Sequence, residues 1–292
     1  MIQAPVPRSP APPTKRPTAP APMQQPAPQA AVRTARKFAF GEIAASTAQR
    51  IGIYGPGGIG KTSLACRAPG PVALFDFDSS LPVLKPTLGG LDIKVVEDVH
   101  TWQDLREALH AKDMWGSIRT IVIDSLTRAE QLGIAHTVQN VRHEKGGTVT
   151  SIEGYGFGKG YKHVYETMLA LLGDLDQHVR DGRNVILIAH DCTANVPNPE
   201  GEDYIRWEPR LQANSNGNFR LAVKEWLDHL LCVRFDVAVK EDSKDRGKAS
   251  GSGTRTIYPV EQAVHMAKSR SLREPLIYED GNTEVWQKLF PA

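Results

Sequence analysis

The sequence predicts an α/β fold: a mostly parallel central sheet with helices on both faces and an antiparallel flank near the C-terminus. Three observations lead there. Short apolar runs, Ile51–Tyr54, Val72–Phe75, Thr120–Ile123 and Val185–Ala189, alternate with segments of helical periodicity, as strands buried on both faces do. These runs end in polar residues, Asp76 to Asp78, Asp124 and His190, and in such sheets ligands sit at the carboxyl ends of the strands. The first run enters a glycine-rich loop, Gly55-Pro56-Gly57-Gly58-Ile59-Gly60-Lys61-Thr62, with Ser63 to Cys66 opening a helix behind it.

Along the chain, residues 1–44 read as a disordered Pro/Ala-rich basic tail and 45–292 as one nucleotide-binding domain. Ten of the 21 prolines lie between Pro5 and Pro28, and that stretch lacks the apolar periodicity needed to offset its ordering entropy. Arg50–Tyr54 is the first strand and Val72–Asp78 the second. Ile93–Val96 is a weaker one. Thr101 caps a helix continued by Leu105 and Leu109, and Thr127 with Glu130 marks another helix start. Val164, Met168, Leu171, Leu172, Leu175 and Val179 recur at helical spacing up to Gly182, a residue suited to ending a helix. Asn184–Ala189 is a strand, Leu221–Leu227 a helix and Leu230–Val239 a strand. The polar stretch 242–253 turns it back along Thr254–Val260. Short strands at Ala263–Ala267 and Pro275–Tyr278 and a helix over Thr283–Phe290 complete the pattern.

Six of the 35 basic residues precede Glu42, the first acidic one, so 29 remain against 33 acidic residues in the rest of the chain, a net charge of −4. Bulk electrostatics therefore supplies no reason for the domain to bind nucleic acid, which leaves local loops or the tail. The tail reads equally as a solubilising linker. Cys66, Cys192 and Cys232 show no paired spacing, as reduced thiols in a cytoplasm would. No secretory signal or membrane-spanning run is read, so a cytoplasmic location without membrane partners is expected.

Residues 55–62 fit the phosphate-cradling G-x-x-x-x-G-K-[ST] pattern at every constrained position. Gly55, Pro56, Gly57, Gly58, Ile59, Gly60, Lys61, Thr62 and Ser63 are thus the nucleotide-binding set, with Lys61 on the β- and γ-phosphates. Thr62 and Asp124 are the expected Mg²⁺ ligands, Asp124 through water, so ATP and Mg²⁺ are the cofactors. Asp78 is a candidate to orient or deprotonate the attacking water, although Asp78-Ser79-Ser80 is also a turn signal. His190 can sense the γ-phosphate, or simply pack at its strand end.

This order of motifs resembles the RecA-like ATPase core over roughly residues 48–290, a RecA-like P-loop NTPase fold. Asp78 stands where that family places a Glu, one methylene longer, and His190 where it places a Gln. Thr120–Thr127, Gly156–Tyr161 and Ala267–Arg270 further resemble phage-encoded RecA-core nucleotide-binding proteins, some of which anneal single strands. The resemblance implies an ATPase that binds single-stranded DNA in recombination, annealing or replication, as a ring or filament, in the host cytoplasm if phage-encoded. It further implies a partner such as a single-strand-binding or replication protein at the tail. It puts DNA loops at 143–161, with Tyr155, Phe157, Lys159, Tyr161 and Lys162, and at 191–217, with Arg206, Trp207 and Arg210. The first of these reads equally as a flexible connector. The resemblance also makes Lys268 and Arg270 candidate fingers toward a neighbour's γ-phosphate. Alternatives are a phosphotransferase acting on a small molecule, which asks for an arginine-rich lid, or an ATP switch that docks a protein. The absence of a helical lid in the sequence pattern disfavours an AAA+ remodeller.

Overall fold

A computed structural model describes residues 40, 48–241 and 247–291. The tail, apart from Phe40, and the turn at 242–246 lie outside the described residues. In chain order the elements are β1 (Arg50–Tyr54), α1 (Lys61–Ala65), β2 (Val72–Asp76), α2 (Leu81–Leu84), β3 (Ile93–Val95), α3 (Trp102–His110), β4 (Thr120–Asp124) and α4 (Leu126–Asn140). There follow α5 (Lys159–Arg180), β5 (Asn184–Ala189), β6 (Asp191–Val196), β7 (Tyr204–Pro209), β8 (Ala213–Asn214), β9 (Gly217–Asn218) and α6 (Phe219–Trp226). β10 (His229–Glu241), β11 (Gly247–Tyr258), β12 (Lys268–Ser269), β13 (Leu276–Tyr278) and α7 (Glu284–Leu289) close the chain.

The main sheet runs β13-β11-β10-β1-β5-β4-β2-β3, with β12 also on β10. The neighbours from β3 to β10 pair parallel, and β11, β12 and β13 pair antiparallel. β5 therefore lies between the strand that feeds the glycine loop and the strand that ends in Asp124. Side-chain alternation gives the sheet two cores. Ile51, Ile53, Val72, Leu74, Val122, Ile186 and Ile188 pack with α1 and α7. Tyr54, Ala73, Phe75, Ile121, Ile123, Val185 and Leu187 pack with α3, α4, α5 and α6. Both faces are covered, which is why the strands read as continuous apolar runs.

Local chemistry accounts for several boundaries. Thr101 accepts from the Asp104 amide while the Asp104 side chain reaches back, the capping box that starts α3. α4 starts earlier than predicted. Its N-cap is Ser125, whose side chain accepts from the Arg128 amide, so Thr127 and Glu130 sit inside the helix and turn to tertiary partners. β2 stops at Asp76, because Asp76 caps the following turn: its carboxylate accepts from the Ser80 and Leu81 amides at 2.9 Å each. Asp78 thus lies beyond the strand. No strand forms at Ala263–Ala267; His265 only bridges to Trp207 and Gln262, and pairing with β10 begins at Lys268. Among the described residues no helix is long and apolar enough to cross a membrane.

Candidate active site

The loop after β1 passes directly beneath β10. A Cβ on Gly55 would stand 2.2 Å from the Val233 carbonyl oxygen. Gly60 adopts φ 101°, and a Cβ there would meet the Tyr278 hydroxyl at 2.8 Å. Glycine alone meets both demands. Gly57 and Gly58 face open space, so the rim of the loop lets a polyphosphate approach the backbone N–H groups.

Three side chains of the C-terminal flank hold this segment. Arg255 donates to the Ile59 carbonyl at 3.2 Å, the Tyr278 hydroxyl to that of Gly60 at 2.8 Å, and the Trp286 indole to that of Leu64 at 2.9 Å. Arg255 also stacks on the Tyr278 ring at 4.6 Å and pairs with Asp280 at 2.9 Å. A cavity of about 520 Å³ beside the loop is lined by Lys61, Thr62, Ser63, Arg67, Arg255 and Asp280. Sequence reasoning missed this clamp, since its partners lie 196 to 222 positions apart and no local pattern announces them.

Lys61 is buried, and its ammonium donates to the Gly55 and Pro56 carbonyls at 2.8 Å each. Burial holds its pKa below the usual lysine value, opposed by Asp124, Asp191 and Asp78. The Thr62 hydroxyl donates to Asp124 Oδ2 at 2.5 Å. Asp124 is 3 % exposed. Burial pushes its pKa up to about 6, with Asp78 and Asp76 adding to the rise and the Thr62 hydrogen bond opposing it. The peptide bond to Ser125 is cis. A hydroxyl and a carboxylate in contact beside a phosphate loop fit Mg²⁺, which prefers hard oxygen ligands. Bound there with a nucleotide, Mg²⁺ would offset phosphate charge, with Thr62 and Asp124 as its protein-side groups.

Asp78 and His190 come together beyond these groups. His190 Nε2 lies 3.3 Å from Asp78 Oδ2, and Arg128 Nε lies 3.7 Å from Asp78 Oδ1. Burial, then the charge of Lys61, lowers the His190 pKa, so the ring stays neutral around pH 7. The His190 amide donates to Thr127 Oγ1 at 3.1 Å. Arg128 carried no role in the sequence reading. It enters the site only because α4 starts at Leu126, which puts Arg128 in the first turn of the helix.

The two predicted DNA loops differ from expectation in their side chains. Tyr155 is buried, its hydroxyl 2.9 Å from the Thr137 carbonyl and 2.6 Å from that of Val141. It closes the C-terminal end of α4 and is not available to stack on a base. Phe157 is 99 % exposed at φ 49°, a backbone state costly for a bulky residue. Lys159 pairs with Glu144 at 2.5 Å, and the Tyr161 hydroxyl donates to Glu153 at 2.9 Å. In the second loop, β6 and β7 form a hairpin whose one basic residue, Arg206, is neutralised, while Arg210 beyond it is exposed. Arg206 pairs with Glu208 and Glu261 at 2.6 Å each, and Arg234 lies 3.7 Å over the Trp207 ring.

Lys268 and Arg270 are engaged elsewhere within the chain. Lys268 Nζ donates to the carbonyls of Lys224, Glu225 and Leu227 at the end of α6, at 3.0, 3.0 and 2.5 Å. Arg270 pairs with Asp228 at 2.8 Å. The structure does not bring either one to the chain's own glycine loop.

Over residues 47–271 the chain matches the family described as AAA domain. No curated protein matches it. Among solved structures it is similar to a KaiC-like protein from the hyperthermophilic archaeon Pyrococcus horikoshii OT3, with 13% identity and a TM-score of 0.39, over 80% of this chain and 87% of that one. Among the described residues, the return strand β11, the short strands β12 and β13 and the one short helix α7 follow β10, with no helical bundle. The family match takes in the glycine loop, Asp124 and His190, and the chain belongs to the AAA domain family of P-loop ATPases.

Proposed function

We propose that the protein hydrolyses ATP, binds single-stranded DNA and works as a homo-oligomer in recombination, annealing or replication of the phage kind. The contact between Thr62 and Asp124, beside a buried Lys61, carries the ATPase part of this reading. It sets a phosphate-neutralising cation and a hard dication site side by side at one strand end. Asp78, with His190 and Arg128 against it, is the group assigned to the attacking water. The DNA part rests on the exposed Phe157, the exposed Lys162 and the six basic residues that precede Glu42. Aromatic faces for the bases and positive charge along the backbone are what single strands require.

Measuring ATP turnover with and without single-stranded DNA, in one preparation, tests both parts. Turnover that rises with DNA is expected. Turnover indifferent to DNA, with no DNA bound, removes the DNA part. Tight ATP binding without turnover in either condition favours a switch that docks a protein.

A further inference from the structure

Arg210, which the resemblance placed in the second DNA loop, lies at the foot of the β6–β7 hairpin. Its backbone is fixed to the site on both sides. The Arg210 amide donates to the His190 carbonyl at 2.8 Å, and its own carbonyl accepts from Thr127 Oγ1 at 3.3 Å. The neighbouring arginines are spoken for: Arg206 by Glu208 and Glu261, Arg220 by Glu208, Arg234 by Asp191. Arg210 is exposed and has no carboxylate partner among the described residues. Burial first, with the charges of Lys61 and Arg210 adding to it, holds the His190 pKa down, in keeping with the backbone contact between Arg210 and His190. A guanidinium without a carboxylate partner, on a backbone bonded to the end of β5, is free to take an anion as its partner.

We propose that Arg210 is a catalytic residue acting in cis, its guanidinium contacting the γ-phosphate of the nucleotide held by the same chain's loop. This rests on the ATPase reading above. In hydrolysis the water oxygen bonds to Pγ as the bond from Pγ to the β–γ bridging oxygen breaks. ADP leaves with that electron pair, and the proton lost by water passes to Asp78 or solvent. Negative charge on the γ-oxygens is what a planar, bidentate guanidinium stabilises. Placed one residue beyond the hairpin, Arg210 would also tie catalysis to whatever the hairpin contacts.

The test uses the full chain with Arg210→Ala and Arg210→Lys, both at an exposed position. Turnover should fall about 10²-fold or more in Arg210→Ala, with ATP affinity changed only a few-fold, and the lysine should restore little of it. The extra affinity for ADP with fluoroaluminate over ADP alone should shrink likewise, a readout that needs no turnover. Mixing Arg210→Ala with Lys61→Ala protein should give no rescue, because a cis finger and the loop are lost from different chains and no intact site forms. Near-wild-type turnover and unchanged fluoroaluminate discrimination would overturn the proposal, and so would rescue on mixing. A wild type that binds no nucleotide sinks the P-loop reading itself, and this inference with it.

Discussion

At the residue scale, Asp124 shows the tension between stability and site chemistry. A carboxyl whose folded pKa is raised, here to about 6, binds protons more tightly folded than unfolded. Folding stability is therefore lost as pH rises from the ordinary aspartate range through about 6. Asp124→Asn keeps an oxygen for Thr62 and removes the buried charge. It should raise the nucleotide-free protein's stability at pH 7 by about 1–3 kcal/mol, flatten the pH dependence between about 4 and 6, and abolish Mg²⁺-dependent turnover. Thermal melts across that pH range, beside turnover assays, check this. Lys61→Ala should eliminate measurable nucleotide binding, because no other side chain of the loop is cationic. Asp78→Asn should leave binding intact and cut turnover by about 10²-fold, and an unchanged kcat would return Asp78 to being a turn residue.

At the scale of elements, α1 is only five residues long and its N-cap, Gly60, makes no side-chain cap, so its position depends on β11, β13 and α7. Tyr278→Phe keeps the buried ring and removes one hydrogen bond to the loop. It should weaken nucleotide binding by about 3- to 10-fold, in line with roughly 1 kcal/mol for such a bond. Titration with a fluorescent nucleotide, beside the melting temperature of the nucleotide-free protein, separates this effect from general destabilisation. Equal affinity in the variant would reduce the clamp to packing. Tyr155 works similarly at the end of α4. The sequence suggested a base-stacking aromatic there, and tertiary packing made it a helix terminator, leaving Phe157 as the exposed ring of that loop.

At the scale of the whole molecule, Lys268 tests how the chain assembles. As it stands it satisfies three carbonyls at the end of α6, so Lys268→Ala should cost about 1–2 kcal/mol whether or not it reaches a neighbour. A role toward a neighbour's γ-phosphate adds a second expectation: mixing Lys268→Ala with Lys61→Ala protein should restore some turnover, the opposite of the outcome for Arg210. A chain that stays monomeric with ATP and DNA at full turnover would exclude the neighbour role. For DNA, removing residues 1–40 should flatten the dependence of log K on log salt. Phe157→Ala should weaken binding at every salt concentration, by about 1–3 kcal/mol for one lost base contact.

The sequence by itself determined the parallel core, the glycine loop and the acid and histidine at strand ends. Each rests on neighbours along the chain: apolar runs of strand length, glycines at loop positions, a polar residue where a strand stops. It did not reach the site's second half. Asp76 reads as a strand-end acid, yet capping the next turn occupies it, because β2 stops there. Arg128 and Arg210 join the site, and Arg255, Tyr278 and Trp286 grip the loop, only because the sheet order sets β5 beside β1 and carries β10 and β11 past the loop. Those contacts connect distant segments, where chain-local periodicity and capping carry no information, so only the tertiary structure decided them.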